Sequence, residues 1–539
     1  MTRVWLGGLF VTAVLARWLA AADHNIAEDP FVIVESAKHL LATGLYRIPS
    51  VGAASGEIGW SMPSWPGGFP LLLAALFKVF GASEANARAC TVVVSALLPP
   101  ITACLAYALT NRRRLALIAG VLAALHPLAV AFGGQIFTNN ISVTLFVGWL
   151  TALVTATVNR ERGTFVPIGD VVTTAWRRRR LVLAALAFGL AVSVRDTDVL
   201  LAAPGIYVLY KTGLFSLRAL TSSWRPFLAT AGVAAAAFVI GWSPGWYFNL
   251  VNFGSPLVST HYETNIRLSP GYLLGGSEAL FGLPGLAVMA IAIAVFQFPV
   301  LLAFAPVVGR STLSAPAAMT GLVALPLLLV NGAFPVASTG AAPRYVLPLV
   351  PFACLFAADV CDRALALQRR RLTTLMAGAV LLWQAVLFFP PPQLFEAWSR
   401  LAYLSYYAPA YVARPYHNYP DHTNAMVRWV QAYTPPNALV VTPSRAQHFF
   451  YYASRAVCVL DALTPQDWTR HVGVRPVYFV EDRDLALRPE AVQVLRKTIA
   501  RIGLELVEAG RVEVFAPEAG LVYMRAYQVK AVDAPTAHP

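Results

Sequence analysis

Charge is scarce in this chain. Asp, Glu, Lys and Arg make up 13% of its 539 residues, whereas 57% are hydrophobic. The mean hydropathy is +0.60. A soluble domain carries about twice that share of charge, so a water-soluble enzyme is excluded and a polytopic α-helical membrane protein is expected. Cysteine is scarce too. There are five, an odd number, with Cys90, Cys104, Cys354 and Cys361 in or beside apolar runs and Cys458 alone in the tail. That excludes a disulfide framework, and no Cys/His spacing marks a metal site. The chain has no Gly-rich phosphate loop, no defensible catalytic triad and no internal repeat. Acidic residues are the scarcer sign, 27 against 41 basic, for a net charge of +14. In a soluble protein that excess would suggest nucleic acid. In a membrane protein it reflects Lys and Arg sorted to cytoplasmic loops, and no nucleic-acid partner is implied.

What is present is a series of about eleven spans of the bilayer. They fall at 4–22, 84–110, 115–133, 136–157, 181–194, 198–210, 226–247, 284–308, 314–335, 345–366 and 372–390. The first lacks a small-residue cleavage site and reads as a retained helix. The fifth and sixth are too short to cross alone and read as a hairpin with "RDTD" at its tip. With the N-terminus in the cytoplasm, the cytoplasmic loops carry Arg3, Arg112–Arg114, Arg160, Arg162, Arg177–Arg180, Lys211, Arg218, Arg225, Arg310, Arg363 and Arg369–Arg371. Few basic residues before 391 fall elsewhere: Arg17, Lys38, Arg47, Lys78, Arg88, Arg195, Arg267 and Arg344. The bias sets the orientation, and an odd number of spans leaves the tail outside. The expected location is therefore the cell (inner, cytoplasmic) membrane. The chain divides into a transmembrane domain, 1–390, and an extracytoplasmic α/β domain, 391–539. In the latter "NALVVT", "RAVCVL" and "PVYFVE" read as strands and "RPEAVQVLRKTIARIG" as a helix.

The first external loop, 23–83, is structured. In "AEDPFVIVESAKHLLATGLY", apolar residues at 31, 34, 37, 40 and 41 face one way and Glu35, Lys38 and His39 the other. That is an amphipathic helix suited to the membrane interface, ended by Gly44. A second stretch, "WPGGFPLLLAALFKVFG", reads as another interfacial or re-entrant helix. Asp29 before Pro30 has the spacing of an N-cap followed by proline in the first helical position. A catalytic role for its carboxylate is the open alternative.

The ordered motifs resemble those of GT-C membrane glycosyltransferases of the protein-mannosyltransferase and lipid A aminoarabinose-transferase type. Asp29, Ile33, Ala37, Leu41 and Gly44 hold the register of the family's acidic loop motif, with Ile33 in place of an aromatic and Glu28 as the second acid. "PGGFPLLLAALFKVFG", "NARACTVVVSALL" with Arg88, "GLAVSVRDTDVLL", "GWYFNLVNFGSP" and "APRYVLPLVPF" follow in family order. Some relatives hold a lipid phosphate with a lysine before the loop proline. Met62 stands there in this chain.

The resemblance implies an inverting hexosyl- or pentosyltransferase. It would move a sugar from a polyprenyl-phosphate donor to a hydroxyl of a lipid, glycan or protein acceptor at the outer membrane face. Asp29 would be the base, and Glu28 or Asp23 would orient it, replace it or help hold a divalent cation such as Mg or Mn. Arg195, Arg267, Arg344 and Arg88 are candidates for the donor phosphate. Each has a plainer reading: an ion pair for Arg195, a solvated loop for Arg267, an interface anchor for Arg344. Trp65, Trp246, Tyr247 and His261 are candidates to line the substrate, with Trp60 and His24 behind them; interfacial aromatics and loop histidines need no ligand. Asn139 and Asn140 sit at a span start where some relatives have an acid, and capping explains them. A transporter or lipid flippase, or a non-catalytic scaffold on the same fold, is the competing expectation.

Overall fold

The computed structural model describes residues 3–20, 29–61, 66–159, 164–195, 199, 201–214, 224–253, 314–333, 347–366, parts of 374–382, 422–443, 446–486, 489–516 and 520–532. The chain forms two compact units. One comprises 1–22 and 63–417, the other 23–62 and 418–539.

The first unit is helical among the described residues. Its elements are α1 (Arg3–Ala20), α3 (Gly68–Phe80), α4 (Glu84–Ala96), α5 (Leu98–Thr110), α6 (Arg113–Leu125), α7 (Pro127–Gly133), α8 (Thr138–Thr157), α9 (Ile168–Thr173), α10 (Ala175–Val194), α11 (Ala203–Lys211), α12 (Trp224–Phe253), α13 (Ala315–Ala333) and α14 (Val350–Ala366). A short ribbon, β3 (Val158–Asn159) with β4 (Thr164–Phe165), joins α8 to α9. The expected span at 284–308 lies outside the described residues, and that at 372–390 almost wholly so. The other expected spans coincide with helices. Among the described residues three helical stretches are long and apolar enough to cross a membrane: Glu84–Thr110, Thr138–Thr157 and Trp224–Asn252. Proline sets two of the breaks. Pro127 opens α7 directly after α6, with His126 before it driven to extended backbone, whereas at the α4–α5 break Leu97 keeps helical angles and Pro99 and Pro100 lack the N–H groups that would bond the Ser95 and Ala96 carbonyls.

Helix α10 packs on α8 and on α12. The α10–α12 crossing is backbone on backbone. A Cβ on Gly189 would lie 2.2 Å from the Phe238 carbonyl oxygen, and one on Gly241 would lie 2.4 Å from that of Leu186. Asp362 on α14 accepts from Arg112 (3.1 Å) and Arg114 (2.6 Å) at the α5–α6 turn. This brings to one end of the helices arginines that the charge count placed on one side of the membrane.

The second unit is built on a five-stranded sheet of order β6-β5-β7-β9-β8. Its strands are β5 (Leu439–Thr442), β6 (Ala456–Val459), β7 (Val477–Val480), β8 (Leu504–Ala516) and β9 (Gly520–Ala531). β5, β6 and β7 are parallel, whereas β9 runs antiparallel to β7 and β8. Helices α15 (His422–Tyr433) and α16 (Ala446–Ala453) bury one face with Val440, Val457 and Val480. Helices α17 (Pro465–Val474) and α18 (Pro489–Ala500) bury the other with Leu439, Val441, Val477 and Phe479. Burial on both faces is why "LVV" and "VYFV" are apolar without alternation. The expected three strands and the helix at 489–500 are present. The long β8–β9 hairpin was not expected, because its polar residues break the pattern.

The loop segment 29–61 belongs to this second unit. Helix α2 (Asp29–Thr43) is present, and Gly44 ends it at φ +74°, with its N–H on the Leu40 carbonyl (2.9 Å). Its apolar face was expected to meet a membrane interface. Instead Phe31, Ile33, Val34, Ala37 and Leu40 are buried, and Phe31 meets the rings of Phe450 and Tyr451 on α16 edge-on at 6.0 and 5.4 Å. After α2 comes a hairpin, β1 (Ile48–Ser50) with β2 (Gly59–Ser61). Its tip is gripped by the tail. The Gly52, Ala53, Ala54 and Ser55 carbonyls accept in turn from Val459 N (2.9 Å), Cys458 Sγ (3.0 Å), His471 Nε2 (2.6 Å) and an Arg475 guanidinium nitrogen (3.1 Å). Burial pushes the Cys458 thiol up to about 11, so it stays a protonated donor. Gly52 has φ +99°, and a Cβ there would lie 2.6 Å from Val459 Cγ2.

Two outcomes follow. Gly189→Ala should lower the melting temperature of the purified chain, since the clash with backbone cannot relax by rotamer change; overpacking of this kind costs about 1–3 kcal/mol. An unchanged melting temperature would rule out the backbone crossing. The second concerns His39, which stacks on Trp60 with centroids 3.9 Å apart. Burial, then the Arg47 charge, lowers its pKa below 6.5. The unfolded chain therefore binds that proton first, and the contribution of neutral His39 is lost as pH falls from about 6.5 through the lower folded value. Melting of wild type and His39→Gln from pH 8 to pH 5 should show the wild type losing ground only below about 6.5.

Candidate functional site

Several expected site residues lie outside the described residues: Glu28, Trp65, His261, Arg267 and Arg344, with Asp23 and His24. Asp29 opens α2, where helix ends are defined to within a residue or so. Among the described residues no three His, Cys, Asp or Glu side chains come together as a metal site would need.

In the helical unit, three of the sequence motifs meet at one point. "PGG" starts α3, "AVSVR" ends α10 and "SPGWYF" lies in α12. A Cβ on Gly68 would lie 2.5 Å from the Ser193 carbonyl oxygen, and one on Gly67 would lie 2.3 Å from the Phe248 ring. Gly245 comes almost as close, its Cβ position 3.4 Å from Ser193 Cα. The glycines let the first turn of α3 sit directly on the last turn of α10. Pro244 falls inside α12 and has no N–H for the Ile240 carbonyl. Ser243 Oγ donates to that carbonyl instead, at 2.7 Å, which keeps the helix continuous past the proline.

Arg195 follows Ser193 by two residues. It caps α10 in extended conformation, half-buried, with its N–H on the Ala191 carbonyl at 2.9 Å. An α-helix N-terminus and an arginine are thus brought to one junction, and both favour an anion there. Trp246 and Tyr247 lie on α12 at the same junction. Trp246 is half-buried, and its Nε1 has no hydrogen-bond partner; Tyr247 is exposed. Arg195, Trp246 and Tyr247 thus lie within two residues of the contacts that Ser193, Gly245 and Phe248 make at this junction.

Arg88 is not placed with them. Its guanidinium pairs with Glu84 at 2.5 Å within the first turn of α4, whose cap is Ser83 accepting from Asn86 N (3.1 Å). This gives the arginine a helix-stabilising role. Trp60 stacks on His39 in the other unit. Asn140 closes the turn between α7 and α8, donating to the Phe132 (2.5 Å) and Gln135 (2.8 Å) carbonyls. It therefore ties down the preceding turn and does not cap the start of α8, where Phe137 holds the N-cap position without a side-chain cap.

Sequence reasoning missed a buried polar group beside that turn. Arg17, in the last turn of α1, is fully buried and donates to the Ala13 carbonyl at 3.2 Å. Gly133 lies against it, with a Cβ there only 2.6 Å from Arg17 Cδ and Nε. The one available signal was an arginine interrupting an apolar helix away from its cytoplasmic end.

No protein-family model matches the chain, and neither does any curated protein. Solved structures do match. The crystal structure of ArnT from Cupriavidus metallidurans bound to undecaprenyl phosphate covers 99% of this chain and 98% of its own, with a TM-score of 0.55 and 14% identity. The same protein in the apo state gives 0.55 and 15%, covering 96% of this chain and 97% of that one. An oligosaccharyltransferase from Archaeoglobus fulgidus has a TM-score of 0.49 at 13% identity, which adds no weight. At these identities the likeness is one of fold. It runs over nearly the whole of both chains, so the chain shares the fold of that membrane protein.

Proposed function

We propose that the chain is an integral-membrane glycosyltransferase. It moves a sugar from a polyprenyl-phosphate donor to an acceptor hydroxyl at the outer face of the membrane, with inversion. The observation that carries this reading is the end-to-end likeness to ArnT, a protein solved with undecaprenyl phosphate bound. The chain has apolar helices of spanning length to hold a lipid donor, and its family motifs converge on Arg195 and the start of α3.

The chemistry needs two things. A base takes the acceptor proton as the acceptor oxygen bonds to the anomeric carbon. The bond from that carbon to the phosphate oxygen breaks, and the lipid phosphate leaves with the electron pair. Asp29, which opens α2, is the base in this reading. Glu28 is the second acid, and Arg195 with the α3 dipole offsets charge on the leaving phosphate. Arg267 and Arg344 are further candidates for the phosphate, and Trp65, Trp246, Tyr247 and His261 for the sugar or acceptor. A divalent cation held by Glu28 or Asp23 is an optional part of the reading, and no step depends on it. Donor and acceptor are left at the level of class: polyprenyl-phosphate sugar, and a lipid, glycan or protein hydroxyl.

Asn caps a helix about as well as Asp, so Asp29→Asn separates folding from chemistry. In reconstituted vesicles the variant should insert and melt as the wild type does, while sugar transfer falls by about 10²-fold or more. Lipid-linked sugar should accumulate in cells that carry only this variant, as read by mass spectrometry. Normal turnover by Asp29→Asn would remove Asp29 as the base. Movement of intact lipid without sugar transfer by the wild type would replace the transferase reading with a flippase.

A further inference from the structure

Arg17 is fully buried in the helical unit, yet two of its three nitrogens are unused. Its Nη1 reaches the Ala13 carbonyl (3.2 Å), whereas Nε and Nη2 have no partner among the described residues. Those two nitrogens form one edge of the guanidinium, the edge that pairs bidentately with an oxyanion. A second orphan sits in the adjoining turn. Gln135 is fully buried, and both its Oε1 and Nε2 lack partners.

The Phe132 and Gln135 carbonyls of that turn each accept two hydrogen bonds already, and the Gly133 carbonyl accepts one. Ser95 Oγ donates to the Gly133 carbonyl at 3.0 Å. Asn140 Nδ2 and Gln135 N donate to the Phe132 carbonyl, and Asn140 Nδ2 and Phe137 N to that of Gln135. Gly133, without a side chain, lets the Arg17 guanidinium lie flat against the turn. A buried unpaired cation costs several kcal/mol in a low-dielectric setting, and the default reading of such a residue within a membrane span is functional.

We propose that Arg17 and Gln135 form an internal site for a phosphate oxyanion. Arg17 supplies the two-pronged fork and Gln135 Nε2 a third donor, a set that suits an anion with three or more oxygens better than a carboxylate with two. A lipid phosphate and free inorganic phosphate share this chemistry. The lipid source rests on the transferase reading, whereas the site rests on the orphaned donors alone.

Thermal melting of the full-length chain in detergent tests it, with undecaprenyl phosphate in one arm and millimolar inorganic phosphate in the other. The wild type should gain a few degrees with one of them. Arg17→Met should melt no lower than wild type without ligand, because an uncompensated charge is removed, and should lose at least half of the gain, keeping only what the Arg195 junction supplies. Arg17→Lys keeps the charge but not the fork, and should show less than half the gain. A gain with undecaprenyl phosphate supports the site with a lipid anion; a gain with inorganic phosphate alone supports it with a free one. No gain in either arm, or equal gains in wild type and Arg17→Met, overturns it. If Arg17→Met fails to fold, Gln135→Leu decides: an undiminished gain overturns the site, and loss of half or more of it supports the site. Asp29→Asn should keep the full gain whether or not Asp29 is the base, so loss of the transferase reading would leave the binding result standing.

Discussion

The helical unit depends on backbone touching backbone where side chains are missing. Gly189 and Gly241 bring α10 and α12 into direct contact, and Gly67 and Gly68 bring α3 down onto the end of α10. Within a bilayer there is little hydrophobic drive between apolar helices, so close van der Waals approach through small residues does that work. One consequence is local chemistry. The same contacts that pack the helices deliver Arg195, Trp246 and the positive end of α3 to one junction.

The second unit rests on a different device. Four successive carbonyls, Gly52 to Ser55, are each held by a donor from the tail. A loop tip is thereby treated as a bound peptide, and the hairpin and α2 become part of a domain whose other residues begin some 360 positions later in the chain. The buried side of α2 accounts for Ile33. At this position the chain has a β-branched residue enclosed in the core.

Polar groups inside the helical unit divide into two kinds. Most are satisfied locally: Thr102 by the Leu98 carbonyl, Thr144 by that of Asn140, Ser243 by the carbonyl that Pro244 leaves open. Asp362 is satisfied across helices by two arginines from another turn. Arg17 and Gln135 belong to neither kind, and among the described residues Thr230 Oγ1 and Trp246 Nε1 are likewise without a partner. That contrast, rather than burial itself, separates them from the polar residues that only support the fold.

Much was legible in the sequence. Apolar runs located the helices, prolines marked where they break, and Gly44 marked the end of α2, because each follows from local sterics and hydropathy. The strands of the tail were visible as short β-branched runs. The order of the motifs named the fold. What the sequence could not decide was which surfaces meet. The apolar stripe of α2 fits a membrane interface or a protein core equally well by periodicity, and only the packed tail settles which one buries it. The β8–β9 hairpin was hidden because its residues alternate without a clear apolar face. Arg17 stood out neither by motif nor by spacing. Its isolation is a property of its neighbours, and neighbours distant in the chain are chosen by tertiary packing alone.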